Sequence, residues 1–307
     1  MFLLTAFIDV LLPIIVVVAA GYALRRGYPI DVRSLNRVAM YALSPALIFV
    51  TLVRAEVAGL EALRVSAVSV LLVGSLLLLT TIIGKALRLD RPSLAALLLT
   101  VLFMNSGNYG LNTSRFAFGQ AGLDRALLFF VAQATLAQTL AVPVAQLGRA
   151  DMRAAALQIL KMPQIYAVLA GLILRLSGLD LPHRSDALGA LFKGGELLSD
   201  AALTMLLLML GMQLAQGAGI EDRRLTLVAL GLRLMVSPLL AWGIGVALGL
   251  DALALKVVIV QASMPTAVNM VVYSTEFDAR PSFVAGVVVA GTLASLVTLS
   301  LLLTFLR

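Results

Sequence analysis

The chain has 307 residues, 61% of them apolar and only 13% charged, whereas a soluble domain is close to half apolar and a quarter charged. Apolar runs of about twenty residues alternate with short charged patches, the pattern of an all-α polytopic membrane protein, and this excludes a disordered chain, a coiled coil and an ordinary soluble enzyme. The formal charge of +7 reads as loop topology rather than a nucleic-acid surface, since no stretch combines dense Lys and Arg with aromatics.

In chain order, hydropathy predicts ten transmembrane helices, at about 3–24, 35–54, 63–86, 92–119, 124–147, 156–176, 195–215, 224–248, 252–276 and 281–306. The first opens on Met1-Phe2-Leu3-Leu4 with no basic stretch, so it reads as a permanent span rather than a signal peptide. The loops that follow the odd-numbered spans hold Arg25, Arg26, Arg33, Arg37, Lys85, Arg88, Arg91, Arg149, Arg153, Lys161, Arg223, Arg224, Arg233 and Arg280, fourteen of the 23 basic residues. Cytoplasmic loops carry the excess of Lys and Arg. That assigns these loops to the cytoplasm of a plasma (inner) membrane and puts both termini outside.

The halves echo one another. Residues 13–25 and 163–175 share seven of thirteen positions, among them Pro13/Pro163, Gly21/Gly171 and Arg25/Arg175, where chance gives roughly one or two. Ile83-Gly84-Lys85-Ala86-Leu87-Arg88-Leu89-Asp90 shares six of eight with Ile244-Gly245-Val246-Ala247-Leu248-Gly249-Leu250-Asp251. Ser106/Ser263, Asn112/Asn269 and Thr135-Leu136-Ala137/Thr292-Leu293-Ala294 share one further offset. The expected organisation is two five-helix repeats, 1–150 and 151–307, the second inverted because five is odd, as in secondary transporters.

Spans four and nine are the expected broken pair. Apolar sequence from Pro92 to Met104 is followed by Asn105-Ser106-Gly107-Asn108-Tyr109-Gly110-Leu111-Asn112. Thirteen helical residues reach only about 20 Å of a core of about 30 Å, which puts the polar run near mid-depth. Span nine answers with Gln261-Ala262-Ser263-Met264-Pro265-Thr266-Ala267-Val268-Asn269. Open peptide groups are tolerated in a membrane only around a cavity or ligand, and half-helix N-termini suit a carboxylate or other anion. The expected binding residues are Asn105, Ser106, Asn108, Asn112, Gln133, Ser263, Thr266 and Asn269, with Gly107, Gly110 and Pro265 holding the breaks open. The plainer alternative is a pair of helix kinks packed by small residues.

These residues resemble the auxin efflux carrier family, which includes plant PIN-type exporters and bacterial permeases for small carboxylates. Leu35-Asn36-Arg37-Val38 leading to Pro45 and Phe49 is similar to a family pattern in span two. So are Asn105, Gly110 and Gly119 in span four, Gln133 in span five, and Val260-Gln261-Ala262-Ser263-Met264-Pro265 followed by Glu276-Phe277 and Pro281 in span nine. The resemblance implies broken crossover helices, a scaffold from spans 1, 2, 6 and 7, a transport domain from spans 3–5 and 8–10 moving elevator-fashion, and a homodimer through the scaffold. It departs at Asn112, where relatives often carry Pro, in the uncharged stretch Val65–Ile83, where plant exporters carry an acidic and a basic residue, and in the short loop Gly148–Ala155.

Among lone polar residues, Arg233 lies about 13 Å into span eight by helical rise and is either an anion attractor or a snorkelling side chain. Arg115 and Asp9 read as interfacial, and His183 as a loop residue. Gln138, Thr135, Thr292 and Ser295 read as helix–helix hydrogen bonds. One His and no Cys leave no transition-metal site, and no phosphate loop is present. The expectation is a secondary active transporter of a small organic anion, with no enzymatic activity, no cofactor and the lipid bilayer as its surroundings. A sodium-coupled bile-acid-type symporter and a non-transporting membrane receptor are the alternatives.

Overall fold

A computed structural model describes residues 7–54, 59–147, 163–177, 181–182 and 186–306. The described chain forms α1 (Phe7–Gly27), α2 (Val32–Arg54), α3 (Gly59–Ala86), α4 (Arg91–Leu102), α5 (Ser106–Ala145), α6 (Pro163–Ser177), α7 (Ala187–Leu214), α8 (Arg223–Ala247), α9 (Ala252–Ala262), α10 (Met270–Glu276) and α11 (Pro281–Leu306). Of these, α1, α2, α3, α5, α7, α8 and α11 are long and apolar enough to cross a membrane, and α4, α6 and α9 are shorter apolar helices. The described helices differ from the predicted spans in several places. The third begins earlier, at Gly59. The fourth is divided between α4 and α5, and α5 also takes in the fifth, bent only at Gly119 at φ 67°. The seventh begins earlier, at Ala187, and the ninth is divided between α9 and α10. Residues 3–6, 156–162, His183 and the loop Gly148–Ala155 lie outside the described residues.

Aspartates set the helix starts. Asp31, Asp90, Asp186, Asp222 and Asp251 each accept a hydrogen bond from a backbone N–H in the first turn of α2, α4, α7, α8 and α9, satisfying donors a helix leaves open. The Ser93 hydroxyl and N–H beside Asp90 hold its carboxyl below the usual range. The two octapeptides that resemble each other fold alike. Arg88 at φ 53° and Gly249 at φ 65° end α3 and α8, with Leu89 N–H bonded to Gly84 O and Leu250 N–H to Gly245 O, each at 3.0 Å. Inside α2 and α8 the ladder slips by one residue over Ala39–Leu43 and Leu232–Val236. Each slip comes just ahead of a proline, Pro45 or Pro238, which has no N–H to give.

Two packing groups result. In the first, α1 lies on α7 and α2 on α6 and α7. Gly21 and Gly211 make the α1–α7 contact backbone to backbone: a Cβ on Gly211 would stand 1.9 Å from Val18 O, and one on Gly21 2.1 Å from Leu208 O. In the second, α3, α4, α5, α8, α9 and α11 bury an apolar core that includes Val68, Leu72, Leu97, Phe103 and Phe283, and Val10, Leu11 and Ile14 of α1 and Leu207 and Leu210 of α7 reach into it. Besides these residues, the groups meet along a dry, apolar contact of Leu47, Ile48 and Leu52 of α2 and Leu203 of α7 against Leu111, Leu123 and Leu127 of α5.

Candidate functional site

The break after α4 and the break after α9 lie side by side. Met104 and Thr266 form an isolated antiparallel bridge. Asn105 N–H donates to Pro265 O at 2.8 Å and Ala267 N–H donates to Phe103 O at 2.9 Å. Each unwound segment thus satisfies peptide groups of the other, which a lipid core would otherwise leave unpaired. Counted from the caps Asp90 and Asp251, Asn108 corresponds to Asn269 and Asn105 to Thr266. The sequence pairing of Ser106 with Ser263 is therefore out of register: Ser106 opens α5, after its break, while Ser263 closes α9, before its own.

A cavity of about 350 Å³ sits between this bridge and the first packing group. Asn105, Ser106, Gly107, Asn108 and Gln133 line it from one break and α5, and Asn269 from the other. The opposite wall comes from the N-terminal half of α2, the first turn of α6 and the C-terminal half of α7, through Asn36, Gln164 and Gln213. These segments run toward the loops that join α1 to α2 and α7 to α8, so the cavity extends toward that end, and the dry contact lies on the other side of the bridge. No lining side chain carries a formal charge; the polar ones are carboxamides, serines and Tyr273.

Two amides on this wall differ in how they are held. Gln133 is fixed, accepting from the Ser69 hydroxyl at 3.3 Å and donating to Leu102 O at 3.2 Å. Asn105, 4% exposed, has its backbone committed to the bridge, while its Nδ2 finds no partner among the described residues.

Other residues expected at the site are placed elsewhere by their own hydrogen bonds. Asn112 Nδ2 donates to Leu203 O at 3.1 Å across the dry contact. The Ser263 hydroxyl donates to Ile259 O at 2.7 Å and that of Thr266 to Thr100 O at 2.6 Å. Gly110 lies against the Gln261 carboxamide, where a Cβ would meet Oε1 at 2.4 Å, and Pro265 contributes its carbonyl to the bridge. Arg233 is wholly buried, so it does not snorkel, and its partners are the carbonyls at the ends of α4 and α9 rather than the cavity. Arg115 and Asp9 are exposed.

Sequence reasoning missed Asn36, Gln164 and Gln213 as wall residues and took Gln138 for a helix–helix contact. Gln138 does accept from Tyr273 Oη at 3.1 Å, and it lines the cavity as well. A carboxamide within a predicted apolar span was the available signal for Gln138, Gln164 and Gln213, and Asn36 stood in the Leu35-Asn36-Arg37-Val38 pattern.

The arrangement has relatives. The chain is 29% identical over 300 residues to an uncharacterized transporter of Methanothermobacter thermautotrophicus, covering 95% of this chain and 96% of that protein. It is 24% identical over 303 residues to one of Methanocaldococcus jannaschii, again covering 95% and 96%. A probable auxin efflux carrier component 1b of Oryza sativa subsp. japonica is 27% identical over 145 residues, or 45% of this chain and 25% of that protein. The family described as membrane transport protein matches residues 6–142 and 149–303. An integral membrane protein built from apolar helices, the chain belongs to this auxin efflux carrier-type family of membrane transport proteins and is a transporter, not an enzyme.

Proposed function

We propose that the chain is a secondary carrier of a small organic anion, a carboxylate or an auxin-like acid, working by elevator-type alternating access. Its ten spans are two inverted repeats, 1–150 and 151–307, with α4–α5 and α9–α10 as the crossovers. The scaffold is α1, α2, α6 and α7, and the transport domain is α3–α5 with α8–α11. The observation that carries this reading is the cavity trapped between the bridged breaks and the first packing group.

The N-terminus of α5 opens onto that cavity at Ser106, where open N–H groups and the helix dipole favour a carboxylate. Asn105 and Asn108 supply uncharged donors beside it, and Asn269 faces them from the second break. The cavity extends toward the loops rich in Arg, so this state faces the cytoplasm of the plasma membrane, with both termini outside. Transport exchanges the dry contact for an equivalent one on the other side of the site.

The test is uptake by proteoliposomes of benzoate, butyrate, malate and indole-3-acetate, each radiolabelled. Saturable uptake of at least one acid is expected. Binding of an acid without flux would make the protein a receptor instead, and absence of both would refute the anion site. A requirement for sodium would favour a bile-acid-type symporter.

A further inference from the structure

The N-terminal end of α5 faces the cavity, and the C-terminal ends of α4 and α9 converge on one side chain. Arg233, on the slipped turn of α8, donates from Nη1 to Val101 O in the last turn of α4 at 2.6 Å and from Nη2 to Ala262 O, the last residue of α9, at 2.6 Å. Nη2 also bonds the Ser237 hydroxyl, which donates in turn to Ala262 O at 2.9 Å. The guanidinium is fully buried, and among the described residues no carboxylate pairs with it.

A buried charge with no counter-ion is expensive unless something compensates it. Here the compensation is the helix ends. Each helix C-terminus carries roughly half a negative charge, so two together offset about one guanidinium. The consequence falls on the cavity. Without Arg233, the positive end of α5 facing the ligand would be outweighed by the two negative ends behind it, and no lining side chain carries a charge to redress the balance. With it, only the positive end of α5 remains uncompensated. Val101 O, Ala262 O and Ser237 Oγ are also oxygen ligands of the kind a hard cation takes.

We propose that Arg233 determines the specificity of the site: it is a fixed cation seated in an oxygen pocket at the C-terminal ends of both interrupted helices, and it gives the cavity its preference for anions without touching the ligand. The positive end of α5 acts on the ligand, and Arg233 acts through the field at that end as a positioning residue. This rests on the cavity being an anion site, but the sodium experiment below does not depend on which acid, if any, is carried.

Melting temperatures of purified wild-type protein and Arg233→Met are compared in sodium chloride and in choline chloride at equal ionic strength. Wild-type protein is expected to melt alike in both. Arg233→Met leaves Val101 O without its donor and Ala262 O and the Ser237 hydroxyl with only each other; it is expected to be stabilised by sodium alone and to bind the acid panel about tenfold more weakly. Stabilisation of wild-type protein by sodium over choline would overturn the proposal, as would an Arg233→Met protein indifferent to sodium or one with unchanged acid affinity. If Arg233→Met yields no folded protein, Arg233→Lys replaces it. That variant keeps the charge, so it is expected to ignore sodium and still respond to an acid that stabilises the wild type. Sodium stabilisation of Arg233→Lys, or loss of its acid response, would overturn the proposal equally. No response of wild-type protein to any of the acids would refute the anion-carrier reading, leaving the sodium comparison to decide whether Arg233 fills a cation pocket.

Discussion

Replacing Asn105 by Ala separates binding from folding more sharply than any other change at the cavity. The backbone of Asn105 carries the bridge, donating to Pro265 O and accepting from Tyr109 and Gly110 N–H groups, and Ala retains all three bonds. What is lost is a carboxamide whose Nδ2 has no partner among the described residues. Removing a buried unsatisfied donor relieves a desolvation penalty of about 1–3 kcal/mol, offset by lost packing, so stability is expected to change by less than about 1 kcal/mol. A hydrogen bond to a charged ligand contributes about 1.5–3 kcal/mol, which converts to a loss of affinity of about 10- to 150-fold. Thermal-shift titration with the acid that stabilises wild-type protein most, alongside the melting temperature without ligand, reads both quantities from one sample. Gln133→Ala is the contrast: it breaks two made bonds and is expected to destabilise by about 1–3 kcal/mol. Unaltered affinity in Asn105→Ala would remove Asn105 from the site, and a collapse in its melting temperature would show that the amide is structural.

The remaining predictions test the frame around the site. Asn112→Ala removes the bond to Leu203 O, worth about 0.5–1.5 kcal/mol, and should depopulate the cavity-open state by about 2- to 12-fold. Because the chain has no Cys, thiol labelling of Ala137→Cys on the cavity wall can follow this shift, and an unchanged labelling rate in the Asn112→Ala background would refute it. Gly211→Ala drives a methyl into Val18 O and should cost about 1–3 kcal/mol or more by forcing α1 from α7; a melting temperature equal to wild type would contradict the contact. Arg88→Gly should stabilise the turn after α3 by about 1 kcal/mol, since Arg88 adopts a left-handed conformation that costs a side-chain-bearing residue about that much; a lower melting temperature would mean that the Arg88 side chain matters more than its backbone.

The sequence disclosed the large features because they rest on local chemistry. Runs of apolar residues mark helices, aspartates mark their starts, and the Asn- and Gly-rich run marked a break near mid-span, although the break itself is only Phe103–Asn105 and Gly107, Asn108, Gly110 and Asn112 lie within α5. The octapeptides ending at Asp90 and Asp251 were legible as a pair because each encodes a complete helix end and the next cap. Side-chain direction was not legible in the same way. Asn112, Ser263 and Thr266 carry the same kinds of polar group as Asn105 and Asn108, yet each is committed to a carbonyl on a neighbouring turn or helix. Which of these groups reach the cavity depends on helix rotation and on the register of the breaks, and the four-residue offset between Ser106 and Ser263 put that register one turn out. Arg233 stayed open between two roles for a related reason: its depth in α8 follows from counting residues, but its partners, Ala262 O on the next helix and Val101 O 132 positions away, follow only from how the helices pack.

The strand-like pairing of Phe103–Asn105 with Pro265–Ala267 also constrains how the protein is made. The first segment leaves the ribosome long before its partner; the neighbouring bond from Thr266 to Thr100 O joins residues 166 positions apart. Until the second half is synthesised, the peptide groups of the first break have no complement, and insertion machinery, water or a headgroup must shelter them. Cutting the chain near residue 150 and expressing the pieces separately should thus yield an N-terminal half that is degraded alone and accumulates only when the other half is made beside it.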